Sequence, residues 1–236
     1  MSENRRWAWV ATYAAAMAWV EAAVVVYLRT LINRMEPYQP NPLPVSVGLG
    51  QIELVREAAT LIMLLAAGRL AGGTRRSRWA YALIAFGVWD ILYYAFLKVM
   101  IGWPASLFSW DILFLLPLPW WGPVIAPASI ALLMVIGGTL VVRFDRPDRP
   151  LRPGRAAWGL AAAGAALALY TFMAGAIAAL PRGAWAVRQV LPVSFNWALF
   201  LPALALLAAP VIDLARQLFI GRQIAGGRQR SAVSRP

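Results

Sequence analysis

The sequence predicts an all-α integral membrane protein: six transmembrane helices plus one re-entrant or interfacial helix at about 105–118. Three observations lead there. The 236 residues are 61% hydrophobic and 14% charged, with a mean hydropathy of +0.64. One soluble core cannot hide that much apolar surface, so the solvent is lipid. The apolar residues fall in runs of roughly 20 or more, the length that crosses about 30 Å of hydrocarbon as helix. The basic residues gather on alternate loops, the pattern that sets membrane orientation.

The first span is predicted at about 7–31 (WAWVATYAAAMAWVEAAVVVYLRTL). Its apolar run is longer than a signal-peptide core and lacks a small-residue cleavage site, so it is read as a retained span. Residues 35–50 are rich in Pro, Gly and polar groups and form a loop. The second span, 51–70, carries Glu53, Arg56 and Glu57. A short basic turn at 71–78 leads to the third span, 79–101. The next segment is apolar but cut by Pro104, Pro117, Pro119 and Pro123, with Trp103, Trp110, Trp120 and Trp121 crowding its ends. The stretch between Pro104 and Pro117 is too short to cross as a helix, which makes it re-entrant or interfacial. The fourth span is 124–142. A Pro-rich linker with five arginines (143–155) precedes the fifth span at 156–180, and the sixth is 190–215. Residues 1–220 thus form one polytopic domain. Residues 221–236 are a basic, small-residue-rich tail expected to be disordered and cytoplasmic.

Orientation follows from charge. With the N-terminus inside, the inner face holds Arg5 and Arg6; Arg69, Arg75, Arg76 and Arg78; the five arginines of 143–155; and Arg216, Arg222, Arg228, Arg230 and Arg235. The outer face holds Arg29, Arg34, Lys98, Arg182 and Arg188. Every inner loop agrees, so both termini are expected in the cytoplasm and the Ala/Arg-rich composition suggests a bacterial-type inner membrane. The same distribution explains the net charge of +12 without nucleic acid: the basic face meets anionic lipid headgroups.

There is no Cys and no His. That excludes disulfides, thiolate chemistry, Ser–His–Asp triads and most transition-metal sites. No phosphate-binding loop, dinucleotide fingerprint, zinc signature or kinase motif occurs, and no cofactor is expected. Carboxylates, arginine, one lysine, tyrosine, tryptophan and hydroxyls remain.

Five of the ten acids lie in or beside apolar spans: Glu21, Glu53, Glu57, Asp90 and Asp111. A charge at mid-bilayer costs about 2.5–3.5 kcal/mol on the mildest scale, so such groups face the protein interior and find partners. Given the topology, all of them fall in the outer half of the membrane. Glu53, Arg56 and Glu57 share one helical face at i, i+3 and i+4. Asp90, Tyr94 and Lys98 share another at i, i+4 and i+8, and Glu21 lies two turns before Arg29. These residues are predicted to converge on an outward-facing pocket lined by Glu21, Glu53, Arg56, Glu57, Asp90, Tyr94, Lys98 and Asp111, with 105–121 as its lid. Acids outnumber bases, so the pocket prefers a cation or holds a proton. The competing reading is a structural ion-pair network that fixes helix register; Lys98 and Arg29 would then snorkel to the interface.

Weaker signals are a tetrapeptide Trp-Asp-Ile-Leu at 89–92 and again at 110–113, a match that chance explains, and Gly159 spaced four from Ala163, which permits close helix packing. The twelve tryptophans read mainly as interface anchors. Spans five and six carry little charge, which argues against an inverted repeat.

Three functions are compatible with this pattern. The first is a small transporter or permease-like protein for a cation, proton or cationic solute. The second is a non-catalytic membrane subunit or assembly factor, docking another membrane protein or a second copy. The third is a membrane enzyme using carboxylate acid–base chemistry on a lipid or isoprenoid, which an apolar groove beside the acids would favour. The sequence leaves open whether the chain is an enzyme and whether a metal binds.

Overall fold

A computed structural model describes residues 2–40, 47–115, 117–146 and 150–220. The predicted tail at 221–236 lies outside the described residues. The long helices are α1 (Glu3–Leu31), α2 (Val47–Ala71), α3 (Arg75–Ile101), α4 (Ile125–Phe144), α5 (Arg155–Ala179) and α7 (Trp197–Leu207). A single turn of 3₁₀ helix, Leu180–Arg182, extends α5, and a five-residue helix α6 (Ala184–Arg188) follows it. After a break at Ala208 the helical path of α7 continues to Ile220. Pro202 lies within α7, and Pro210, which lacks an N–H and crowds the preceding turn, accounts for the break.

Five stretches are long and apolar enough to cross a membrane: Glu3–Leu31, Arg75–Ile101, Ile125–Phe144, Arg155–Arg182 and Trp197–Ile220. The protein is therefore a multi-pass helical membrane protein. Helix α2 has comparable length, 25 residues, but Glu53, Arg56, Glu57 and Arg69 interrupt its apolar character. The last span begins later than the predicted 190, because residues 190–196 are irregular and Asn196 caps α7 by accepting from the Leu199 N–H at 3.1 Å.

The segment expected to form a short helix at 105–118 is not helical. It is a two-stranded antiparallel hairpin, β1 (Trp110–Ile112) paired with β2 (Trp121–Pro123) in the register Asp111 opposite Gly122. Pairing with β2 explains the difference: it supplies a partner strand for Trp110–Ile112, whose tryptophan and isoleucine suit a ladder. Outside the ladder, Leu113 donates to the Trp120 carbonyl and Trp120 to the Phe114 carbonyl, both at 2.8 Å.

Helix α3 is the hub, touching α1, α2 and α4, while α5 packs on α7 and α7 on α4. Small residues set these crossings, since in lipid close van der Waals contact drives helix association. Val10, Ala14, Ala18 and Ala22 form a buried i+4 stripe on α1, and Ala14 and Ala18 join Tyr81, Ile84 and Ala85 of α3 in one core. Gly138 of α4 sits so close to α3 that a Cβ there would lie 2.6 Å from the Ala80 carbonyl oxygen. On α5 the close approach is at Gly164, against the Ala203 carbonyl of α7, whereas Gly159 meets nothing within 4 Å. Within the chain the close approach of α5 is therefore at Gly164 and not at Gly159.

Polar ties distinguish the two ends of the bundle. At one end Arg76 pairs with Asp145 at 2.9 Å, the Tyr81 hydroxyl donates to Glu3 at 2.7 Å, and the Gly154 N–H donates to Asp213 at 2.8 Å. This end carries most of the arginines. At the other end the hairpin sits beside the C-termini of α1 and α3. There the Tyr38 hydroxyl donates to the Pro192 carbonyl at 2.7 Å, linking the loop after α1 to the segment before α7.

Candidate functional site

The charges on α1 and α2 meet first. Glu53, Arg56 and Thr60 occupy one face of α2. The Arg56 guanidinium is held between Glu53 of its own helix and Glu21 of α1; its Nε donates to Glu53 at 2.8 Å. The Thr60 hydroxyl donates to the other oxygen of Glu21 at 3.2 Å. In a low-dielectric interior such an arrangement ties two helices through one cation and two acids.

A second cluster joins α1, α3 and the hairpin. Arg29, one turn from the end of α1, pairs with Asp111 of β1 at 3.3 Å. It also donates to the Met35 carbonyl at 3.1 Å and lies 4.1 Å over the Trp103 ring, a favourable cation–π position. Tyr94 of α3 hydrogen-bonds the same carboxylate. Asp111 is only 2% exposed. Burial pushes its carboxyl up from 3.8 to about 6, although the Arg29 guanidinium, the Ile112 backbone N–H and the Tyr94 hydroxyl pull the other way.

Glu57 and Asp90 differ from all of these. Neither has an ion-pair partner among the described residues. Asp90 is 8% exposed, and the neighbouring charge that acts on it is another acid, Asp111. Glu57 accepts from the Leu115 backbone N–H, but its Oε2 is buried without a partner, as is Oδ2 of Asp90. Among the described residues only two other buried side-chain polar atoms lack partners, the indole nitrogens of Trp89 and Trp120.

All four of these atoms belong to residues lining a single cavity of about 470 Å³. Its remaining charged lining comes from Glu21, Arg29, Arg34, Glu36, Glu53, Arg56 and Asp111. Six acids thus face three arginines, and two of those arginines are already engaged with Glu21, Glu53 and Asp111. The opposite wall is apolar: Pro127, Ile130, Ala131 and Met134 of α4, Ala165, Ala168, Leu169 and Phe172 of α5, and Leu207. Trp120 stacks on Phe172 with planes 3° apart, fixing the hairpin against α5. The cavity reaches the loop after α1 at Ile32 to Pro37, so it lies toward the hairpin end, away from the arginine-rich end.

Seven of the eight residues singled out in the sequence line this cavity: Glu21, Glu53, Arg56, Glu57, Asp90, Tyr94 and Asp111. Lys98 does not. Its ammonium donates to the carbonyls of Gly102 and Pro104, each at 2.9 Å, and so fastens the end of α3. The two Trp-Asp-Ile-Leu segments both contribute their aspartate, one from a helix and one from a strand, so the repeat has no common backbone form. Sequence reasoning missed Thr60, Trp89, Trp120 and the apolar wall. Thr60 was detectable, seven residues from Glu53 on the same face. Trp120 was not, because nothing in a tryptophan-rich segment marks which indole turns inward. Among the described residues no group of three acids is placed to hold a metal ion. No protein-family model, curated protein or solved structure matches this chain.

Proposed function

We propose that this protein is a small transporter or permease-like protein that binds a cation, a proton or a cationic solute in the cavity between α1, α2, α3 and the hairpin. In this reading α2 is a sixth span and both termini lie in the cytoplasm of a bacterial-type cell. The arginine-rich end sits among anionic headgroups of the inner membrane, and the cavity opens outward. One observation carries the proposal. Every buried side-chain polar atom left without a partner among the described residues belongs to a residue that lines the same acid-rich cavity. Native proteins satisfy such atoms, so a concentration of exceptions points to a missing ligand. Glu57 and Asp90 receive the positive charge, and Arg56 and Arg29 hold the surrounding acids in place.

The test is thermal stability of the purified protein in detergent across Na⁺, Mg²⁺, Ca²⁺, Mn²⁺, methylammonium and pH, for the wild type and for Asp90→Asn. The expected result is a cation that stabilises the wild type in a concentration-dependent way and leaves the variant unmoved. If no cation acts and Asp90→Asn simply melts earlier, the cluster is a structural network and the accessory-subunit function takes precedence. A second reading, acid–base chemistry on a lipid, is favoured by the apolar wall beside Glu57 and Asp90. It predicts a chemically altered lipid after incubation with membrane extract, which mass spectrometry would detect.

A further inference from the structure

The cavity has a shape that a site for a small hydrated cation does not need. A metal ion or a proton requires a few ligands and a narrow path. Here a wall of nine apolar residues on α4, α5 and α7 faces the acids. The cavity is also open along one side. Helices α2 and α5 both contribute lining residues, yet among the described residues no Cα of α2 comes within 8 Å of a Cα of α4 or α5, and α5 does not approach α3 or α4 that closely. At the membrane level α5 is held by α7, and at the hairpin end by β2. Leu169 of α5 lines the cavity and is still 36% exposed. In a bilayer, that opening communicates with hydrocarbon.

We infer that the occupant is a single-chain amphiphile with an ammonium head, entering sideways from the bilayer through the gap between α2 and α5. The inference rests on the reading of the cavity as a cation site and names its ligand class and route. The head follows from charge. Six acids against three arginines disfavour a phosphate or carboxylate, whereas an ammonium donates to the free oxygens of Asp90 and Glu57. Trp89 and Trp120 line the same cavity. The tail follows from the wall: Ile130, Met134, Ala168, Leu169 and Phe172 offer an apolar bed running from the acids to the gap. The volume, about 470 Å³, falls in the range that houses one compact organic molecule, which suits one chain better than two. Lateral entry keeps the tail in hydrocarbon throughout, and only the head exchanges its surroundings.

The experiment uses the full-length protein in nanodiscs of zwitterionic lipid and a decylamine carrying a diazirine at its tail end. Irradiation followed by peptide mapping is expected to place the label on residues 130–134 and 165–172. Excess decylamine should abolish that labelling and excess decyl sulfate should leave it, while Asp90→Asn should reduce it at least tenfold. Leu169→Trp, which narrows the gap without touching the acids, is expected to reduce labelling by a similar factor. Label scattered over outward residues such as Trp9 and Trp158, and indifferent to Asp90→Asn, overturns the inference. If methylammonium still stabilises the wild type and not Asp90→Asn, the cation site stands without the amphiphile. If neither probe depends on Asp90, both readings fail together.

Discussion

The two walls of the cavity are made of opposite materials. The side formed by α1 and the loop after it, α2, α3 and the hairpin carries every charge that lines it, and the side formed by α4, α5 and α7 carries none. Within the charged side there is a second division. Arg56 and Arg29 are each bound to acids on another element and so hold α1 to α2 and α1 to the hairpin. Glu57 reaches only the Leu115 backbone N–H, and neither Glu57 nor Asp90 has an ion-pair partner among the described residues. A structural network would have partnered them, because an unsatisfied buried polar atom costs roughly 1–3 kcal/mol. The contrast separates acids that are ion-paired across elements from acids that have no ion-pair partner among the described residues.

Removing an ion-pair partner gives the largest expected effect. Arg29→Ala leaves Asp111 buried at 2% exposure without its counter-charge, a situation that destabilises by about 3–5 kcal/mol. Replacing both partners, as Arg29→Met with Asp111→Leu, should recover most of that loss. Denaturation of the purified variants in mixed micelles measures it. The apolar wall is tested next. Ala168→Asp introduces a charge at a position only 3% exposed, facing acids and no free base, with an expected loss of about 2.5–3.5 kcal/mol. An Ala168→Asp variant as stable as the wild type would mean that the apolar wall is wet, and the division between the walls would be lost.

The fold was legible in the sequence because lipid imposes a length rule. Runs of about twenty apolar residues can only be helices there, and all six long helices overlap their predicted spans. The hairpin was not legible. Its four prolines excluded a spanning helix correctly, but the choice between a short helix and a ladder depends on the pairing of Trp110 with Pro123, a contact between residues with no local signature. The site was half legible for the same reason. Intramembrane acids advertise themselves by their cost, so Glu21, Glu57 and Asp90 stood out. The apolar wall did not, since Ile130 or Phe172 looks like any lipid-facing or core residue until the helices are assembled. Lys98 shows the limit of periodicity, which placed it on the stripe of Asp90 and Tyr94 while the flexible side chain turned to Gly102 and Pro104.

Burial changes the acidity of the hairpin acid. Burial raises the Asp111 carboxyl from 3.8 to about 6, with Arg29 of α1, Tyr94 and Asp90 of α3 as its titratable or charged neighbours. A raised carboxyl favours the folded state when protonated. Its contribution is therefore fully present below pH 3.8, is lost as pH rises through about 6, and is flat above that. Asp111→Asn should remove this part of the stability profile between pH 4 and 7. An unchanged profile would show that Asp111 is more accessible to water than its burial implies.

The smallest effect is expected from the ion pair with the better geometry. Arg76 and Asp145 meet at 2.9 Å, closer than Arg29 and Asp111, but the Arg76 side chain is 39% exposed. Water already screens it, so Arg76→Ala should cost less than about 1 kcal/mol. Asp145 keeps the Leu151 N–H, which donates at 2.8 Å, and has solvent within reach. Asp111 would keep the Tyr94 hydroxyl and the Ile112 N–H but no comparable access to water. The ratio of the two losses, measured in the same micelle, therefore reports solvent access rather than distance. Losses of equal size would mean that both ends of the bundle see the same dielectric.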